Sequence, residues 1–238
     1  MLFRSLIPLF DEAVYESIGI DHKQMLMELA GVFAKYEIPM GFVAKLLEIT
    51  PYSEEYLTGL HSIQFLIDDS TSMALLLESE GIARFEETKR RLKQMIEILA
   101  HIPTPPIVIS FLNRQDEVRL ERGKRSPEEF LKEVYQKIDS CFFHEPEGST
   151  PAKKGIADVL KEGSIERRAL YLFFDGMPSG RVPEIKVIKR LLQNRGDPSG
   201  TPITFLPCSD DPEDVNWMLD MGKDIPCCTT IFDYEKEK

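Results

Sequence analysis

With 238 residues, 42% hydrophobic and 29% charged, the chain has the balance of a folded globular protein, which excludes a long disordered tail or a disulfide-stapled miniature. A net charge of -11 disfavours non-specific binding to nucleic acid or to an anionic membrane surface and favours cations or basic surfaces. Cys141, Cys208, Cys227 and Cys228 form no C-x-x-C pair, which fits buried thiols or a reducing compartment better than a disulfide framework.

The apolar opening Met1–Phe10 runs directly into Asp11-Glu12 without a small-residue cleavage site, so it does not read as a cleaved leader. No window approaches the ~18 apolar residues that a membrane-spanning helix requires. The expectation is a soluble cytoplasmic protein, or one delivered to a cytosol without a cleaved signal peptide. Residues 1–60 read as a helical segment packed on a main domain at 61–238. Asp21 and Gln24 resemble a capping box, followed by Met25, Leu26, Leu29, Ala30, Phe33 and Tyr36 at helical spacing. Pro39 opens a second helix with Phe42, Val43, Leu46 and Leu47, and Ser53-Glu54-Glu55 a short third one.

From residue 62 short apolar runs alternate with amphipathic segments, the pattern of a mostly parallel sheet with helices on both faces, an α/β Rossmann-like fold. Strands are expected at 62–68, 106–112, 169–174, 202–207 and 228–232, with a weaker one at 116–120 making a hairpin with 106–112. Phe85, Leu92, Ile96 and Leu99 mark one helix; Ser126-Pro127-Glu128-Glu129 starts another with Phe130, Val134 and Ile138 as its stripe. Thr150-Pro151, Val182-Pro183 and Asp211-Pro212 open later helices. Trp217, Met218 and Met221 read as core residues of the last of these.

In such a sheet the ligand site lies beyond the carboxyl ends of the strands, where strand order reverses. Three places there carry oxygen donors: Asp68-x-Ser70-x-Ser72 after the first strand, Gly148-Ser149-Thr150 before a helix, and Asp175-Gly176 after Leu170–Phe174. Hard oxygen donors of this kind suit Mg2+ and together approach its shell of roughly six oxygens. Each element also has a plainer reading. Asp and Ser favour turns after strands, Thr150 before Pro151 is an ordinary N-cap, Asp69 can bond local amides or face solvent, and Asp210-Asp211 suits a helix start. The four histidines lack zinc-ligand spacing, and the Cys141 and His144 pair has no orienting third group.

The three pieces, in this order, resemble a von Willebrand factor A domain with its metal-ion-dependent adhesion site, over residues 61–234. The resemblance is closest to the intracellular type, with Arg84-Phe85, Phe111-Leu112-Asn113 and Asp210-Asp211-Pro212 as further matches. It implies a non-catalytic protein-binding module. Asp68, Ser70, Ser72, Thr150 and Asp175 would hold Mg2+, with Mn2+ or Ca2+ as alternative ions, and an Asp or Glu side chain of a protein partner would complete the shell. Two departures stand out. Thr71 occupies a position that is usually glycine, with the prospect of crowding the metal turn, and Ala74–Gly81 is a longer apolar insertion.

Two other classes remain open from sequence. A metal-dependent hydrolase of phosphatase type would need a second carboxylate two positions after Asp68, where Ser70 stands. A scaffold with a vacant metal site would bind through residues 1–60 or 74–81. No G-x-S-x-G, G-x-x-x-x-G-K-[ST] or G-x-G-x-x-G motif supports other catalysis.

Overall fold

The computed structural model describes residues 22–36, 60–101, 104–160 and 166–231. Within them helix α1 (His22–Lys35) precedes β1 (Ser62–Ile67), α2 (Arg84–Ala100), β2 (Ile107–Phe111), β3 (Glu117–Leu120), α3 (Pro127–Cys141), α4 (Ala152–Leu160), β4 (Arg168–Phe174), α5 (Arg181–Gln193), β5 (Ile203–Pro207), α6 (Pro212–Asp224) and β6 (Cys228–Thr230). The strands form one sheet in the order β3-β2-β1-β4-β5-β6. All neighbours pair in parallel except β2 and β3, which form the antiparallel hairpin expected from sequence. The mixed α/β, Rossmann-like expectation therefore holds.

Every residue of β1 is buried, as a central strand covered on both faces requires. Alternation along it divides two cores. Ile63, Phe65 and Ile67 join residues of α2 and α3, including Leu92, Ile96, Phe130, Val134 and Ile138. Leu66 faces the other way, into a core shared with α4, α5 and α6 through Ile156, Ile188, Trp217, Met218 and Met221. Helix starts follow local chemistry. Ser126 and Glu129 exchange capping-box hydrogen bonds, with Pro127 at the first turn of α3. Asp211 caps α6 by accepting the Glu213 amide at 2.8 Å.

Helix α1 lies against α2. Leu29, Val32 and Phe33 are buried, and Lys35 Nζ donates to both Glu97 carboxylate oxygens at 2.8 and 2.9 Å. The Tyr36 hydroxyl donates to the same carboxylate, as does Tyr135 from α3 at 2.7 Å, while His101 pairs with Glu28 at 2.9 Å. Asp21, the helix opened by Pro39 and the one at Ser53-Glu54-Glu55 lie outside the described residues. Among the described residues no helix is long and apolar enough to cross a membrane.

Strand β1 has β2 on one side and β4 on the other. The chain moves outward from β1 to β2 and β3, then returns to β4, so strand order reverses between β1 and β4. The loops beyond these two strand ends form the crevice where an open α/β sheet binds ligands.

Candidate metal site

Parallel pairing carries β1 and β4 to the same end of the sheet, where the Asp68 amide donates to Phe173 O at 2.9 Å. Asp68 is fully buried. Its Oδ1 accepts the Ser70 amide at 2.9 Å, whereas Oδ2 is buried with no hydrogen-bond partner. The chain then enters a short 3-10 turn at Thr71–Ala74, pinned by the fully buried Met73. That turn brings Ser70 Oγ and Ser72 Oγ to 3.1 Å of each other.

The remaining predicted residues join this pair. Thr150 Oγ1 donates to Ser70 Oγ at 3.1 Å, and Ser72 Oγ donates to Asp175 Oδ1 at 3.0 Å. Thr150, Ser70, Ser72 and Asp175 thus form a continuous ladder of oxygens, with the Asp68 carboxyl bonded to the Ser70 amide beside it. Thr150 is steadied by reciprocal bonds with Ser179, which accepts the Thr150 amide at 2.8 Å and donates its own amide to Thr150 O at 3.0 Å. The N-cap reading of Thr150 is displaced, because its hydroxyl turns to Ser70 and the Lys153 amide goes to Glu184 Oε1 at 2.8 Å.

Thr71 does not crowd the turn. It is exposed, and its amide and hydroxyl both donate to Gly148 O at 3.1 Å, tying the β1 turn to the loop before Thr150. Gly148 is required there, since its φ of 94° is left-handed and an added Cβ would lie 3.0 Å from the Asn113 side chain. Asp69 neither faces solvent nor bonds local amides with its side chain. It accepts the Asn113 amide at 2.8 Å and Arg114 Nε at 3.0 Å, and so ties the β1 turn to the end of β2.

Arg84, first residue of α2, is the member that sequence reasoning did not place in the site. Its Nη1 donates to Asp175 Oδ2 at 3.0 Å, and Nη2 lies 3.8 Å from Asp214 Oδ2. Asp175 is therefore divided, one oxygen to Ser72 and the other to Arg84. Its carboxyl is still held above the ordinary range, because burial outweighs these two favourable bonds. Asp68 is pushed up to about 7 by burial first and then by the negative charge of Asp175.

This donor set fits a small hard cation. Adjacent corners of an octahedron with Mg2+ bonds near 2.1 Å are about 3.0 Å apart. The rungs of the ladder measure 3.0 to 3.1 Å, a spacing that also suits hydrogen bonds when no ion is bound. The unpartnered Asp68 Oδ2 supplies a further donor whose burial otherwise has no compensation.

Fold and site together define a doubly wound α/β domain with a hydroxyl and carboxylate cluster at its switch point. No family model matches the chain, and no curated protein sequence does. Among solved structures, the PilB minor pilin from Streptococcus sanguinis is similar in fold, with a TM-score of 0.52 and 12% identity over 72% of this chain and 56% of the pilin chain. A mutant of that pilin gives 0.55 and 11%, covering 74% and 57%. The chain thus spans little more than half the length of these relatives. The SpRpn10 VWA domain is a more distant neighbour, at a TM-score of 0.45 and 14% identity over 73% of this chain and 87% of that one.

Proposed function

We propose that the chain is a protein-binding module of von Willebrand factor A type, in which Asp68, Ser70, Ser72, Thr150 and Asp175 hold Mg2+ and a carboxylate side chain of a protein partner completes the shell. The observation that carries this reading is the oxygen ladder from Thr150 to Asp175 beside the orphaned Asp68 Oδ2, at the sheet's switch point. When bound, the ion supplies a concentrated positive charge and an exchangeable coordination position.

The ion's own charge supports the choice of an anionic partner. Asp69 is compensated by Arg114, while Arg84 stands 3.0 Å from Asp175 and 3.8 Å from Asp214, with Asp68 nearby. A divalent ion would bring these charges into balance and offer an exchangeable position that a hard carboxylate oxygen suits. The acidic surface elsewhere then restricts acidic partners to the ion itself.

The hydrogen bonds of the three hydroxyls run among themselves and to Asp175. Ser70 stands where a phosphatase-type carboxylate would be needed.

Affinity capture on the full chain, with Mg2+ and with EDTA and in parallel with the Ser70→Ala, Ser72→Ala variant, tests the reading. Partners retained with Mg2+ and lost in both other conditions are expected. A partner set indifferent to EDTA and to the substitutions would contradict it, and Mg2+-dependent release of phosphate from a generic ester would favour the enzyme.

A further inference from the structure

We propose that the cavity between α4 and the β2–β3 hairpin is a second binding site, for a guanidinium group carried on an aliphatic stem, the group that ends an arginine side chain. None of the five proposed ion ligands lines this cavity, so it stands or falls independently of the metal.

Strand register lays out its floor. Leu66 of β1 pairs with Ser110 of β2, and Ser110 pairs with Glu117 of the edge strand β3. Residues directly opposed on neighbouring strands share a face of the sheet, so these three form one row, with Gln64 one step along β1 on the same side. Leu66 packs on that side with Ile156 and Val159 of α4. The helix comes close at Gly155, where an added Cβ would collide with the Leu112 side chain. Between the row, the helix and the loop joining β2 to β3 lies a cavity of about 330 Å3, at the small end of ligand pockets and ample for one side chain.

Gln64 carries the reading. It is 5% exposed and lines the cavity, yet its side-chain amide makes no hydrogen bond to any described residue. A central strand covered on both faces ordinarily has an apolar residue at such a position, and a buried amide left without partners costs free energy that a ligand can recover. Beside it, Ser110 Oγ makes only a long bond to Phe65 O at 3.4 Å, which leaves the hydroxyl oxygen able to accept.

Charge selects among the ligands that an amide could hold. Of the charged residues lining the cavity, Arg114 is committed to Asp69 at 3.0 Å and lies 4.0 Å from Asp116. That leaves Lys154 against three carboxylates, Asp116, Glu117 and Asp158, a negative surplus that repels phosphates and carboxylates and attracts a cation. Lys154, Glu117 and Asp158 make no ion pair with a described residue, so their charges are not spent elsewhere. A guanidinium suits these acceptors better than an ammonium does. Its planar fork of N–H donors can reach the Gln64 carbonyl and the Ser110 hydroxyl together, and it sheds water more readily. Its methylene stem would lie on Leu66, Leu112 and Val159, as long basic side chains lie on apolar surface.

The test is calorimetric titration of the full chain in EDTA, so that no ion contributes. The probes are agmatine, N-acetyl-arginine amide, and the lysine and citrulline counterparts of the latter. Both guanidinium probes are expected to bind, at least about tenfold more tightly than the citrulline compound, which keeps the shape and lacks the charge. Either source upholds the site: tighter binding of agmatine assigns a small free ligand, and tighter binding of the blocked arginine assigns a peptide. Gln64→Leu should weaken both guanidinium probes at least about tenfold while its melting temperature holds or rises, because the amide removed has no partner in the free protein. A Gln64 that only supports the fold would lower that temperature instead. Asp158→Asn, at the exposed rim, should weaken the same probes several-fold and leave folding intact, whatever Gln64→Leu does to it. No binding of either guanidinium probe at millimolar concentration, equal or tighter binding of the citrulline or lysine compound, or wild-type affinity in both variants overturns the proposal. The response of the melting temperature to Mg2+ is read separately and decides only the metal site.

Discussion

Asp68 combines two conditions that rarely coexist at a buried carboxyl, since one oxygen is bonded to the Ser70 amide and the other meets nothing. Its carboxyl is raised to about 7, so without an ion it is largely protonated below that pH and ionised above it. The raised group binds its proton more tightly folded than unfolded, so its contribution to folding is fully present below the unfolded value near 3.8 and is lost as pH climbs through about 7. Mg2+ bound there would compete with that proton, so its affinity should rise about tenfold per pH unit between pH 5 and 7 and level off above, measured by calorimetry. A flat profile would mean that Asp68 is no ligand. Arg84→Gln removes the cation beside Asp175 and is expected to strengthen Mg2+ binding several-fold while weakening capture of carboxylate ligands. Weakening of both would show that Arg84 only positions Asp175.

At the scale of elements, the turn after β1 and the ends of β4 and α3 were legible because each carries local chemistry: D-x-S-x-S, D-G, and the Ser126 to Glu129 box. Continuous apolar runs gave the strands, and the β2 and β3 hairpin followed from proximity in sequence. Contacts made across the chain were not legible. Arg84 was visible only as part of a family pattern, since nothing local says that its guanidinium reaches Asp175, 91 positions away. Asp69 reads locally as a turn residue, yet its partners Asn113 and Arg114 come from the end of β2. Glu97 has the same character. It sits late in α2 as one more charge of an amphipathic helix, and the structure makes it the meeting point of Lys35, Tyr36 and Tyr135. Burial raises its carboxyl, but the bonds from Lys35, Tyr36 and Tyr135 outweigh it and hold the net value below 4.5. Stability from that cluster is present above the unfolded value and lost as pH falls through the folded one, so α1 should loosen in acid, below about pH 4.5, before the sheet does. Glu97→Ala should cost about 2 kcal/mol or more by leaving the Tyr135 hydroxyl without its acceptor. Hydrogen exchange should then show faster exchange across residues 28–36 while β1 and β4 stay protected.

For the whole molecule, the proposed metal site would let a protein of net charge -11 recognise an acidic group. Repulsion would discourage acidic partners everywhere except at the proposed site, where a bound divalent ion would concentrate positive charge. Partner capture should therefore fall with ionic strength less steeply than it falls with chelation, because a coordinated carboxylate is screened less than surface charges are. Thermal unfolding of the full chain at pH 8, with and without Mg2+, tests whether the cluster beyond β1 and β4 binds the ion. At about one hundred times Kd, binding to the folded state adds about 2.7 kcal/mol, a rise of roughly 5–10 °C for a chain of this size. That rise is expected in wild type and is expected to be lost in the Ser70→Ala, Ser72→Ala variant. An unchanged melting temperature in millimolar Mg2+, or an equal rise in the variant, would contradict it.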